Sequence, residues 1–348
     1  MSAPAPQTRL RPALLLGLLA AAGLAAAALG LALGSEPVRA WQGLVEVLGR
    51  ERAQWTEDGR ILALRLPRVA LAWLTGAALA VAGAVLQTLL RNGLATPFTL
   101  GVAAASSFGA FLGIAFPAFA LPWLGGERSL ALGAALLETW LVLAVARRST
   151  RADGLLLAGV TLNFLFGAAT LFVRYLADPY DLARMDRWLL GSLDATSLAT
   201  PASLLPWLGA GLLLLLFRVR DLDDLAFDPE LAAARGVRVE TSRRLLLLAT
   251  ALLTAGVVAH AGPIAFVGLL VPHALRPFLG LRHAALLPAC ALLGGAFLIL
   301  ADVLARTLPA LLAGLLPEAF GRSSELPVGL VTALIGGPFF LALLLRRG

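Results

Sequence analysis

The sequence predicts an all-α polytopic membrane protein of about ten spanning helices, and three observations carry that prediction. First, 59% of the residues are hydrophobic against 14% charged, and the mean hydropathy is +0.86. A soluble domain of 348 residues has too little interior to hide that much apolar surface. Second, the apolar residues come in runs close to the roughly 20 residues that a ~30 Å hydrocarbon core requires. Third, the arginines stand in ones and twos at the ends of those runs, the pattern of topology determinants. That spread also argues against nucleic acid as a partner, despite a net charge of +7, because a phosphate-binding face would gather the arginines together.

The runs fall at approximately 13–33, 68–90, 98–120, 128–146, 154–176, 202–217, 241–259, 263–278, 284–306 and 326–345. The first follows Arg9 and Arg11 and exceeds the 7–15 residues of a signal-peptide core, so it reads as a spanning helix. Ser35–Gln54 has a serine at a plausible N-cap and Pro37 in the first turn, and reads as a surface helix on the outside. Asp178-Pro179 repeats that start signal ahead of the amphipathic stretch Leu182–Leu190. The third run carries Gly101, Ala105, Gly109 and Gly113 four apart, a stripe for close helix packing. The eighth is short and contains Pro272 and Pro277, which is tolerated only where neighbours or water satisfy the freed carbonyls. No linker divides residues 1–348, so the chain reads as one domain. Arginines in the short loops favour both termini on the cytoplasmic side.

Between the sixth and seventh runs, Asp223–Val237 is polar. Asp228-Pro229 predicts an N-cap and a first-turn proline, Leu231, Ala234 and Arg235 share a face, and Gly236 sits where a helix-ending glycine is expected. In the fifth run, Asn163, Gly167, Thr170 and Arg174 form one polar or small stripe on an apolar helix. Two readings stand for it: the lining of a substrate pathway, favoured by the charge of Arg174, or hydrogen bonding between neighbouring helices. Glu138 lies near mid-membrane, either as a proton site or in a protonated or hydrogen-bonded structural role. Cys290 reads as packing filler, and His260, His273 and His283 lack ligand-like spacing. No catalytic arrangement and no metal site are readable. The chain contains no lysine, so it has no P-loop, and any ATP that drives it sits on another polypeptide.

The segments RLPRVALAWLTGAALAVAGAVLQTLLRNGLATPFTLGVAAASS (65–107), LLLAGVTLNFLFG (155–167), WLLGSL (188–193), AGPIAFVGLLVPHALRPFLG (261–280), LILADVLART (298–307) and ELPVGLVTALIGGPFFLALLLRR (325–347) strongly resemble the FecCD family. These are permeases of binding-protein-dependent ABC importers for iron–siderophores, haem and cobalamin. The resemblance covers nearly the whole chain, in the family's order. It implies the type II importer permease fold, a homodimer with the pathway at its two-fold axis, two ATPase subunits inside that hold the ATP and Mg, and a periplasmic or lipid-anchored binding protein outside. It implies a bacterial inner-membrane location and no cofactor in this chain. Arg65, Arg68 and Arg306 match positions that dock acidic residues of the binding protein, which requires them to be exposed. Asn92 and Leu94 match the cytoplasmic gate, where Gly93 replaces the proline of the usual RNPLA form. Asp223–Val237, with Asp228, Glu230, Ala234, Arg235 and Gly236, matches the coupling helices that press on the ATPase. The connection Pro309–Ser324 is longer than usual. The expected function is alternating-access import of an iron-chelate, haem or cobalamin-like substrate. An ion-coupled secondary transporter, with Glu138 as proton site, is the alternative, and a membrane-bound enzyme lacks clustered catalytic residues.

Overall fold

The computed structural model describes residues 12–34, 36, 38–49, 51, 54–121, 126–146, 152–280, 282–313 and 325–345. Among these, thirteen α-helices follow one another: α1 Pro12–Ala32, α2 Ala40–Gly49, α3 Glu57–Leu89, α4 Val102–Ala115, α5 Glu127–Ala146, α6 Ala152–Leu176, α7 Pro179–Leu190, α8 Ala199–Phe227, α9 Pro229–Ala234, α10 Val239–Ala261, α11 Val267–Leu279, α12 His283–Ala313 and α13 Val328–Leu345. Seven of them, α1, α3, α5, α6, α8, α10 and α12, are long and apolar enough to cross a membrane. Three shorter apolar helices, α4, α11 and α13, occupy the third, eighth and tenth apolar runs. The expectation of about ten membrane helices is met in that form.

Helices α3 and α10 form the centre of the bundle, and α1, α5, α6 and α8 surround it with largely uncovered apolar faces. Packing at the centre is close enough to exclude side chains. A Cβ on Gly83 would stand 1.9 Å from the carbonyl oxygen of Gly268, so α3 meets α11 backbone to backbone. The same crossing answers the problem posed by Pro272, which has no N–H for the carbonyl four residues before it, that of Gly268. Gln87 of α3 donates its side-chain amide to this oxygen at 3.2 Å, so α11 continues through the proline.

Several helices outrun their apolar runs. α3 begins at Glu57, with Glu57 and Asp58 favourably placed in its first turn. α8 continues to Phe227, its polar end held by Arg218 on Asp221 at 3.0 Å and by Ser242 donating to Asp221. α12 extends through Pro309 to Ala313, so the long connection starts later than expected, and its remainder, 314–324, lies outside the described residues. The predicted surface helix is present as α2 but begins at Ala40, later than the expected start at Ser35 and Pro37, which lie outside the described residues. α7 starts as predicted: the Asp178 carboxylate accepts from the amides of Tyr180 and Asp181, both at 2.9 Å. The small-residue stripe is a packing device, since Cβ atoms on Gly109 and Gly113 would stand 2.1 and 2.7 Å from α5 backbone atoms. Gly101 differs, with φ +97° at the turn into α4.

Candidate functional site: the α9 end of the bundle

At the end of the bundle expected to face the cytoplasm, the inner end, nine residues build a short, self-contained element. The Asp228 carboxylate accepts from the amides of Glu230 at 2.7 Å and Leu231 at 3.2 Å, and Pro229 occupies the first turn of α9. Gly236 ends it at φ +87°, with its amide on the carbonyl of Ala233 at 2.9 Å. Leu231, Ala234 and Arg235 lie on the exposed side while Ala232 is buried. Arg235 pairs with Asp224 at 2.7 Å, tying α9 back to the end of α8. The segment Asp223–Val237 is therefore not one polar loop: Asp223–Phe227 is the end of α8, and the separate helix starts after Asp228.

The gate-matching residues lie next to it. After α3 the chain turns through Arg91, at φ +48°, and the Asn92 carbonyl side-chain oxygen accepts from the Leu94 amide at 2.9 Å. Leu94 is exposed and Asn92 half-buried. Gly93 has open space where a side chain would be and is not in the left-handed region, so its backbone does not require glycine. Arg91 donates to the carbonyl of Phe227 and lies 3.7 Å from Asp228, which links the gate turn to the cap of α9.

A second link was not predicted. His283, fully buried at the start of α12, receives Asp223 on two sides: its own amide and its Nδ1–H both donate to Oδ1, at 2.8 and 2.7 Å. The carboxylate holds the proton on Nδ1, and Nε2 lies 2.8 Å from Thr88 Oγ1 in the last turn of α3. Asp223 and His283 are 60 positions apart, so spacing could not join them; only their placement at the inner ends of two helices hinted at it.

The α6 stripe divides. Asn163 is exposed, Gly167 half-buried, and Thr170 buried with its hydroxyl on the carbonyl of Phe166 in its own helix at 2.7 Å. Arg174 pairs with Asp186 of α7 and lies 6.0 Å from the Phe111 ring centroid. Most of the uncovered surface of α6 is apolar, with Phe164, Leu171 and Tyr175 exposed.

The expectation of three exposed outer arginines is corrected. Arg65 and Arg306 are only 6% and 4% exposed. Helix α1 ends with carbonyls that have no partner in the helix. Arg65 donates to those of Leu31 and Ala32 at 3.0 and 2.9 Å, and Arg306 to those of Gly30 and Leu33, both at 3.0 Å. Asp302, itself buried, sits 3.0 Å from Arg306 Nε and 2.9 Å from Arg68 Nε. Arg68 alone reaches toward the surface, where it pairs with Glu325. The cluster caps α1, whose C-terminal dipole favours cations.

Comparison with known proteins agrees with this architecture. The chain is 36% identical to the iron(3+)-hydroxamate import system permease protein FhuG of Bacillus subtilis, covering 81% of this chain and 82% of that one. It is 38% identical to the cobalamin import system permease protein BtuC of Halobacterium salinarum, over 82% and 73% of the two chains. With the hemin transport system permease protein HmuU of Yersinia pestis the identity is 37%, over 82% and 83%. A solved metal-chelate type ABC transporter in an inward-facing conformation superposes with a TM-score of 0.80 at 29% identity, covering 97% of this chain and all of that one. The family match runs from residue 18 to residue 346, and the chain accordingly belongs to the FecCD transport family.

Proposed function

We propose that this chain is the membrane permease of an ABC importer, carrying an iron-chelate, haem or cobalamin-like substrate into a bacterial cytoplasm. ATP hydrolysis on two separate subunits drives alternating access, and a soluble or lipid-anchored binding protein delivers the substrate. The observation that carries this reading is the inner end: a self-capped helix with a free face, joined through Arg91 to the gate turn and through Asp223, His283 and Thr88 to the end of α3. Pressure on Leu231, Ala234 and Arg235 thereby reaches Asn92 and Leu94 by two short routes, a rigid-body route for switching gates. The relatives' transported compounds support the substrate class, and the uncovered apolar face of α6 suits a second copy at a two-fold axis. In that arrangement Asn163, Gly167, Thr170 and Arg174 stand at the edge of the pathway. On the outer side, exposed Glu325 and the half-buried Arg68 that pairs with it are the groups nearest the binding protein, with Arg65 and Arg306 holding the platform beneath. Both termini lie in the cytoplasm in this orientation.

The test is reconstitution in liposomes with ATPase and binding-protein subunits that co-purify with the chain, reading uptake of labelled iron-hydroxamate, hemin and cobalamin. ATP-dependent uptake of one of them is expected. Uptake that follows an ion gradient without ATP would favour the secondary-transporter alternative.

A further inference from the structure

Near the inner end of the bundle, Arg220 of α8 and Arg282, just before α12, are exposed, and neither has an ion-pair partner among the described residues. The acidic side chains closest to them in sequence are already held. Arg218 and Ser242 engage Asp221, His283 engages Asp223, and Arg235 engages Asp224. Two cations at this end are therefore left over.

Beside them, a cleft of about 320 Å³ runs between α8 and α12. Leu212, Leu216 and Val219 line it from α8, Ala284 and Pro288 from α12, and buried Val81 of α3 closes it behind. Leu212, Leu216, Ala284 and Pro288 are exposed on helices long and apolar enough to span, so the cleft opens toward lipid. Its one polar lining side chain is His283, and both ring nitrogens are taken, by Asp223 and by Thr88. No side chain in the wall has a hydrogen bond to spare, so the cleft suits hydrocarbon rather than water or an ion. From Leu212 to Val219 it follows α8 for about 10 Å, against the ~15 Å of one hydrocarbon leaflet. Leu212, Leu216 and Arg220 stand four apart, so Arg220 continues the lining row one turn toward the inner end. Arg282 directly precedes His283 on the opposite wall.

We propose that this cleft holds an acyl chain of an anionic phospholipid of the inner leaflet, with the headgroup phosphate on Arg220 and Arg282. The aliphatic walls account for the chain and the two unpaired arginines for the headgroup, the arrangement of a basic pocket between membrane helices on the cytoplasmic side. A second copy of the chain belongs against α6, which contributes nothing to this cleft. Because His283 lies in the wall, the lipid braces α8 against α12 beside the Asp223–His283 link and makes that link responsive to the charge of the inner leaflet. Binding does not depend on which substrate the chain carries.

Thermal unfolding of the purified full-length chain in detergent tests this, with titrations of phosphatidylglycerol, of phosphatidylcholine with the same acyl chains, and of inorganic phosphate. Binding to the folded state raises the midpoint saturably. Phosphatidylglycerol is expected to do so at lower concentration than phosphatidylcholine, and inorganic phosphate to have no such effect. Replacing both arginines, Arg220→Gln with Arg282→Gln, is expected to raise the half-saturating phosphatidylglycerol concentration about thirtyfold. Ala284→Phe fills the cleft and keeps every arginine, and is expected to lose the response. The proposal is overturned if the two lipids act alike, if inorganic phosphate reproduces the phosphatidylglycerol effect, or if half-saturation is unchanged in either variant. Should Ala284→Phe not fold, the double arginine variant decides by the same criterion.

Discussion

The outer and inner ends of the bundle both carry charged residues beside helix termini, and they use them in opposite ways. At the outer end, the glycine that follows α1, Gly34, is not in the left-handed region, and Arg65 and Arg306 fold inward to hold four carbonyls between Gly30 and Leu33. At the inner end, α9 carries its cap within its own sequence, Asp228 before it and Gly236 after it, and its charged side faces out. An arginine beside a helix end is thus no evidence of a docking surface until the carbonyls near it are accounted for.

The contrast can be broken most directly at Arg306. Arg306→Ala leaves two carbonyls without a donor and buried Asp302 with Arg68 as its one remaining partner, and is expected to destabilise the chain by about 3 kcal/mol. Arg235→Ala at the exposed end should change stability by no more than about 0.5 kcal/mol. Thermal unfolding of the two purified variants decides it, and equal losses would erase the distinction. Function should invert the order. Ala234→Arg is expected to lower ATP-dependent uptake more than about tenfold, a loss in the range of allosteric coupling energies, with the unfolding midpoint unchanged. Uptake at the wild-type rate would remove α9 from the coupling role. Asp228→Ala removes the cap and should cost about 1 kcal/mol locally, seen as faster hydrogen exchange at the amides of Glu230 and Leu231. A small effect of opposite sign is expected at Gly93→Pro. The position is open and outside the left-handed region, so the substitution should be neutral or stabilising by about 0.4–1 kcal/mol in the unfolding midpoint.

How far the sequence could be read depended on the distance between partners. The cap of α9 was legible because Asp228, Pro229 and Gly236 act on amides and carbonyls within a few residues of themselves. The start of α7 was legible for the same reason. Helix ends were less so: α8 and α12 continue beyond their apolar runs because ion pairs and packing hold turns that hydropathy alone would release. The α6 stripe showed which residues share a face, while the discovery that Thr170 bonds within its own helix and Arg174 reaches α7 needed the packed bundle. Pro272 signalled a freed carbonyl, and nothing local indicated that Gln87 would satisfy it.

The sequence by itself determined that this is a bundle of about ten apolar helices with a capped inner helix between the sixth and seventh, because span length and capping are short-range chemistry. Tertiary structure decided which polar groups remain available. Arg68 and Asp302 meet across 234 positions, as do Thr88 and His283 across 195, whereas Glu138 meets no hydrogen-bond partner among the described residues. In a membrane interior every polar group must find a partner or a ligand, and which of the two it finds is set by the neighbours that packing brings to it.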